Sequence, residues 1–130
     1  MSRKKSREYA FRLVFERFFH EPDVDFAFQD EELVLDDSDK EFANSLIGGI
    51  NEKFDDIQEI IKRNIVGYEI DRLYKVDLAI LMVAVYELKF MNENPPVVIN
   101  EAVELSKKYS TDKSFSFVNG VLANVLKDER

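Results

Sequence analysis

Cysteine and tryptophan are both absent from the 130 residues, and histidine (one), proline (three) and glycine (four) are scarce. Without cysteine there is no disulfide, no thiol nucleophile and no thiolate-ligated metal site. That composition suits a reducing compartment, and a cytoplasmic location is expected. So few glycines and prolines cannot supply the turns of a hairpin-rich fold. Long apolar runs are missing as well. The longest uncharged one, Leu78 to Tyr86, is about half of what a membrane-spanning helix needs. The basic N-terminus lacks the apolar stretch and small-residue cleavage site of a secretory signal.

What is present is a chain 45% apolar and 34% charged, enough for one buried core under a soluble surface. The net charge of −8 argues by itself against a nucleic-acid partner, but its distribution is lopsided. Residues 1–17 carry six bases and two acids, whereas residues 21–41 carry ten acids and Lys40 alone. Such asymmetry points to a localised binding surface.

Apolar positions recur at three and four residues almost throughout, which predicts helices. Tyr9 to Phe19 forms one broad stripe, ended near Pro22. Residues 23–37, acidic and aromatic, read as a connecting loop with a short helix or turn. Ser38 and Glu41 form a capping box opening a helix with Phe42, Leu46, Ile47, Ile50 and Phe54 on one face. Its Gly48-Gly49 pair suggests a close helix approach. Asp55 suits an N-cap for a helix bearing Ile57, Ile60, Ile61 and Ile65. Leu78 to Leu88 is apolar all round, as a central, surrounded helix would be. Asn94-Pro95-Pro96 ends it and opens another, with Val98, Ala102, Val103, Leu105 and Tyr109 inward.

The stretch "FSFVNGVL" (115–122) is ambiguous. Asn119-Gly120 is a strong hairpin signal, yet Phe117, Val118, Val121, Leu122, Val125 and Leu126 keep helical spacing. A lone hairpin would have no sheet to join, so the helix is favoured. Gly120 is then expected to permit a close helix crossing, and Asn119 to bond a neighbouring loop or helix end.

Catalytic signatures are missing. His20 suits a helix-end or solvent contact, and no G-x-x-x-x-G-K-[ST] loop occurs. Asp23-Val24-Asp25 and Asp37-Ser38-Asp39 lack the glycine and glutamate that a calcium loop requires. No cofactor or metal is expected. Two basic clusters remain. Arg3, Lys4, Lys5 and Arg7 at a flexible end could reach phosphates and gain affinity through counterion release. "SKKYSTDKSFSF" interleaves Lys107, Lys108 and Lys113 with Tyr109, Phe115 and Phe117, a mixture suited to single-stranded RNA.

From about Arg3 to Leu126, the motifs "RKKSREYAFRLVFE", "VAVYEL" and "INEAVELSKKYS…SFSFVNGVL" resemble the NusB family of bacterial transcription antitermination factors. The resemblance implies an all-α fold of about seven helices in two small packed bundles, here a single RNA- and protein-binding domain over residues 1–130 with a basic segment at 1–8. It implies no enzymatic activity. Its implied partners are boxA RNA of ribosomal transcripts, the small-subunit ribosomal protein NusE, and an antitermination complex with RNA polymerase and other Nus factors; some members dimerise. Carried over by position, the RNA-binding residues are Arg3, Lys4, Lys5, Arg7, Lys113, Ser114 and Phe117. Ser6 interrupts the basic run, and lysine replaces two family arginines with loss of the bidentate fork. The NusE-facing residues are Phe15, Asp71 and Asp77, an aromatic and two carboxylates suited to a basic protein. Two other readings stay open: an RNA-targeting module of a ribosomal RNA methyltransferase, and a self-associating helical module.

Overall fold

The apolar periodicity is realised as helix after helix. The computed structural model describes residues 3–18, 34–67 and 69–128, and among them there is no strand. Among the described residues six α-helices run in chain order: α1 Lys4–Arg17, α2 Asp37–Glu52, α3 Phe54–Arg63, α4 Lys75–Phe90, α5 Pro95–Tyr109 and α6 Ser114–Lys127, with a 3-10 turn at Ile70–Arg72 before α4. The expected count was about seven. Helix α1 closes at Arg17 with Phe18 as its C-cap, ahead of the expected end near Pro22; most of the acidic segment 23–37, His20 and Pro22 itself lie outside the described residues.

Helix α4 organises the rest. Leu78, Ala79, Ile80, Leu81, Met82, Val83, Ala84, Val85 and Leu88 are all buried, so it has no solvated face along that stretch. It packs against α1, α2, α3, α5 and α6, while α1 also pairs with α2 and α5 with α6. Phe11, Leu46, Ile50, Ile57, Ile61, Val98 and Leu122 close one continuous core around it.

Helix ends follow local chemistry, with two corrections. The box opening α2 is made by Asp36 and Asp39, not Ser38 and Glu41. The Asp36 side chain accepts from the Asp39 N–H (2.8 Å), and the Asp39 side chain accepts from the Asp36 N–H (3.1 Å). A carboxylate at the third helical position can make the reciprocal bond, and negative charge is favoured at a helix N-terminus. Helix α3 starts after Lys53, so Asp55 sits in its first turn instead of capping it. The start of α5 behaves as read, with Pro95 and Pro96 in the first turn and Asn94 accepting from the Val97 N–H at 3.3 Å.

The chain passes through Asn119-Gly120 as α helix. Gly120, however, is exposed, and an added Cβ would meet nothing within 4 Å. Asn119 is exposed as well. At Gly49, by contrast, an added Cβ would overlap the Tyr86 phenol, whose ring fills the space a side chain would take. The hydrogen bond from α6 to a neighbouring helix end comes one turn later, from Asn124 to the Asn64 carbonyl at 3.2 Å. Asp128 completes that junction by accepting from Arg63 (3.1 Å) and Asn64 (2.8 Å).

Candidate nucleic-acid interface

Helix α1 begins with cations, which its own dipole disfavours. Arg3 precedes it, Lys4 and Lys5 open it, no acid lies in the first turn, and no side chain caps it. Local physics alone would fray this end. Tertiary contacts hold it. The Ser6 hydroxyl, fully buried, donates to the Asp39 carbonyl at 2.9 Å. Arg7, 5% exposed, reaches both oxygens of Glu87 at 2.9 Å. Arg3 pairs with Glu93 at 3.0 Å and lies over the Phe42 ring at 4.0 Å. Arg3 to Arg7 therefore form the start of a helix held by tertiary contacts. Its uncapped N–H groups and the exposed side chains of Lys4 and Lys5 present positive potential to solvent.

Arg7 departs from its expected role. Its guanidinium faces inward, and its side chain is spent on Glu87. Burial pushes the Glu87 carboxyl above its ordinary 4.5, while the charge and hydrogen bonds of Arg7 oppose that without cancelling it. Nearby Glu93 pushes up and Arg3 down, both more weakly. Arg7 is the strut that fixes the first turn of α1 on α4.

The two basic clusters, far apart in sequence, meet in space. Glu8 of α1 accepts from Lys108 at 2.8 Å and from the Tyr109 hydroxyl, both at the end of α5. Arg12 donates to Tyr109 at 3.0 Å and lies 3.6 Å from Glu8. The Phe11 and Tyr109 rings pack beneath this junction, their centroids 5.0 Å apart. Burial pushes the Glu8 carboxyl up, but the hydrogen bonds from Lys108 and Tyr109 and the charges of Lys108 and Arg12 outweigh it. The net is below the ordinary 4.5. Burial, then the Glu8 contact, raises the Tyr109 phenol above 10.0. A charged carboxylate and a neutral phenol are the forms this junction selects.

Beyond Tyr109 the loop to α6 is anchored from below. Asp77, in the first turn of α4 and 4% exposed, accepts from Ser110 at 2.6 Å and from Ser114 at 3.1 Å. Ser114, 3% exposed, also meets the hydroxyls of Ser110 and Thr111. These bonds set Lys113 and Phe117 at the rim of a cleft of about 390 Å³. Arg72, Leu73, Tyr74 and Asp77 line it on the α4 side, and Thr111, Lys113, Ser114 and Phe117 on the α6 side.

The expected site residues thus divide. Lys4, Lys5 and Lys113 are exposed, Arg3 is partly engaged, Phe117 is half-buried against the core, and Arg7 and Ser114 are buried supports. Of the three partner-facing residues, Asp71 is exposed, while Phe15 and Asp77 are closed over. Phe15 packs on Phe11 at a centroid distance of 6.3 Å. Sequence reasoning missed Arg72 and Tyr74, the latter 65% exposed. Their contribution depends on a cleft formed with residues some forty positions away, and no local pattern marks it. No group of acids and histidines that could hold a metal occurs among the described residues, and no helix there is long and apolar enough to cross a membrane.

The NusB family model matches residues 4–127. A curated relative, transcription antitermination protein NusB of Lachnoclostridium phytofermentans, is 42% identical over 132 residues, covering 97% of this chain and 99% of the relative. Among solved structures, T. maritima NusB is 32% identical with a TM-score of 0.82, covering 98% of this chain and 92% of that one. A crystal structure of antitermination factors NusB and NusE in complex with dsRNA contains a chain 29% identical at a TM-score of 0.82, with 96% of each chain covered.

Proposed function

The chain belongs to the NusB family, and on that footing we propose that it is a transcription antitermination factor that binds boxA RNA jointly with NusE. The observation that carries the proposal is the Glu8–Lys108–Tyr109–Arg12 junction. It joins the cationic start of α1 to the basic, aromatic end of α5, so two weak sequence clusters become one surface. Along it Lys4 and Lys5 contribute phosphate contacts, and Lys113 and Phe117 contribute contacts at the cleft. Arg7 and Ser114 act from beneath by positioning these groups. Arg3 adds charge from the edge.

The protein-facing side of the proposal rests on Asp71, exposed in the 3-10 turn; Phe15 and Asp77 are buried and support the fold from beneath. An exposed carboxylate there suits a basic ribosomal protein, and attachment to RNA and NusE together multiplies two modest affinities. The protein works as a cytoplasmic adaptor, as one domain, with no chemistry of its own. Relatives named as antitermination proteins, spanned almost end to end, favour this reading over that of a methyltransferase module.

The test is boxA binding, with and without NusE, across a salt series. Replacing Lys4 and Lys5 by Ala should flatten the plot of log affinity against log salt by about 0.7 per lost phosphate contact, on the scale of single-stranded RNA. An unchanged slope would remove the N-terminal segment from the RNA path. Failure of the wild-type protein to bind boxA in either condition would favour the self-associating module, which light scattering of the protein alone would then display.

A further inference from the structure

The first turn of α6 presents its aromatic side chains in two directions. Phe117 lines the cleft and packs against the core. Phe115, two residues earlier, is not part of that lining and is 41% exposed. Residues two apart on a helix point in nearly opposite directions, so Phe115 faces away from the cleft, toward the end of α5. There the Lys107 ammonium lies 5.3 Å from its ring centroid. One exposed phenylalanine means little by itself. This one follows the N-cap Lys113 by two residues and meets Lys107 of α5, whose chain neighbour Lys108 in turn contacts Glu8 of α1. Asp112 is the sole acid between residues 107 and 117.

We infer that Phe115 is a nucleobase-stacking platform, with Lys107 as its phosphate contact, at the point where single-stranded RNA passes from the α1 cations to the cleft. The inference rests on the RNA-binding role proposed above and adds to it a site for one unpaired base. The chemistry is that of strand binding without sequence readout. Every base offers a π face, and the flanking ammonium groups neutralise the backbone on either side of the stacked nucleotide. Lys107, drawn to the ring by the cation–π attraction, is placed to pair with a phosphate beside a base stacked there. Phe117 was the residue carried over from the family motif, although helical spacing already turns it toward the core and leaves Phe115 outward.

The experiment is titration with a single-stranded boxA oligonucleotide across a salt series, with thermal melts confirming that each variant is folded. Phe115→Ala should weaken binding roughly 5- to 100-fold with an unchanged salt slope, because it removes a stack and no charge. Lys107→Ala should instead flatten the slope by about 0.7. The native chain has no tryptophan, so Phe115→Trp places a single reporter at the site. It should retain wild-type affinity and lose indole emission as RNA is added. Wild-type affinity in Phe115→Ala, or unquenched emission from a Phe115→Trp variant that binds RNA, would overturn the platform and leave RNA binding itself standing. Absence of RNA binding by the wild-type protein would instead bring down the functional reading, and the platform with it.

Discussion

Arg7→Ala separates structural support from RNA contact. The side chains of Arg7 and Glu87 are 6% and 1% exposed, and the guanidinium Nε lies 2.9 Å from both carboxylate oxygens. Removing Arg7 leaves a buried carboxylate without its counter-charge, a change that typically costs about 3–5 kcal/mol. That is a large share of the roughly 5–15 kcal/mol available to an ordinary domain. For a chain of this length it corresponds to a fall in melting temperature of about 10–20 °C. The loss should depend on pH. Burial holds the Glu87 carboxyl above its ordinary 4.5 even with Arg7 in place, and without Arg7 it rises further. Between the unfolded and folded values the native state keeps a proton that the unfolded chain has released, so stability falls as pH rises through that window. The deficit of Arg7→Ala relative to wild type should therefore be largest at pH 7 and shrink toward pH 5, where Glu87 can be buried neutral. Urea unfolding of both proteins at the two pH values measures it. The double variant Arg7→Met, Glu87→Met should regain most of the stability and keep the wild-type salt slope for RNA. Equal deficits at pH 5 and pH 7, or a loss below about 1 kcal/mol, would refute the uncompensated-charge account. A flattened slope in the double variant would return Arg7 to the RNA path.

The two glycines should respond oppositely: Gly49→Ala pushes a methyl group into the Tyr86 ring that stacks on Phe90, costing about 1–3 kcal/mol, whereas Gly120→Ala meets open space and should stabilise α6 by up to about 1 kcal/mol. Thermal melts of the pair decide it, and a destabilised Gly120→Ala would restore the close crossing there. Asp77→Ala removes the buried carboxylate that accepts from both Ser110 and Ser114, so it should cost about 1–3 kcal/mol by urea unfolding and weaken RNA binding as Lys113 and Phe117 lose their anchor. Glu8 is held below 4.5, so its contribution is present above that value and lost as pH falls through the folded value. The stability gap between wild type and Glu8→Gln should accordingly narrow from pH 7 to pH 3 in a denaturant series, and a constant gap would contradict the junction's charge balance.

Much of this protein is legible in the order of its residues. Hydrophobic spacing at three and four positions specifies helices, because only that period lines one face of a 3.6-residue turn. The all-round apolar run at 78–88 specifies which helix lies in the middle, since no other place hides every face. Asn94 with its two prolines specifies where α5 begins, because capping and φ restriction act within a few residues. The family motifs are equally local. Only the tertiary structure decided which charged and aromatic groups are available. Arg7 and Lys5 look alike in a basic run, yet one meets Glu87 eighty residues away and the other meets solvent. Gly49 and Gly120 are the same residue in similar helices, and only the approach of Tyr86 distinguishes them. Glu8 becomes a link between two clusters because α1 and the end of α5 meet across the core. Each of these depends on contacts between distant segments, and a desolvated charge or a steric overlap exists only once both segments are in place.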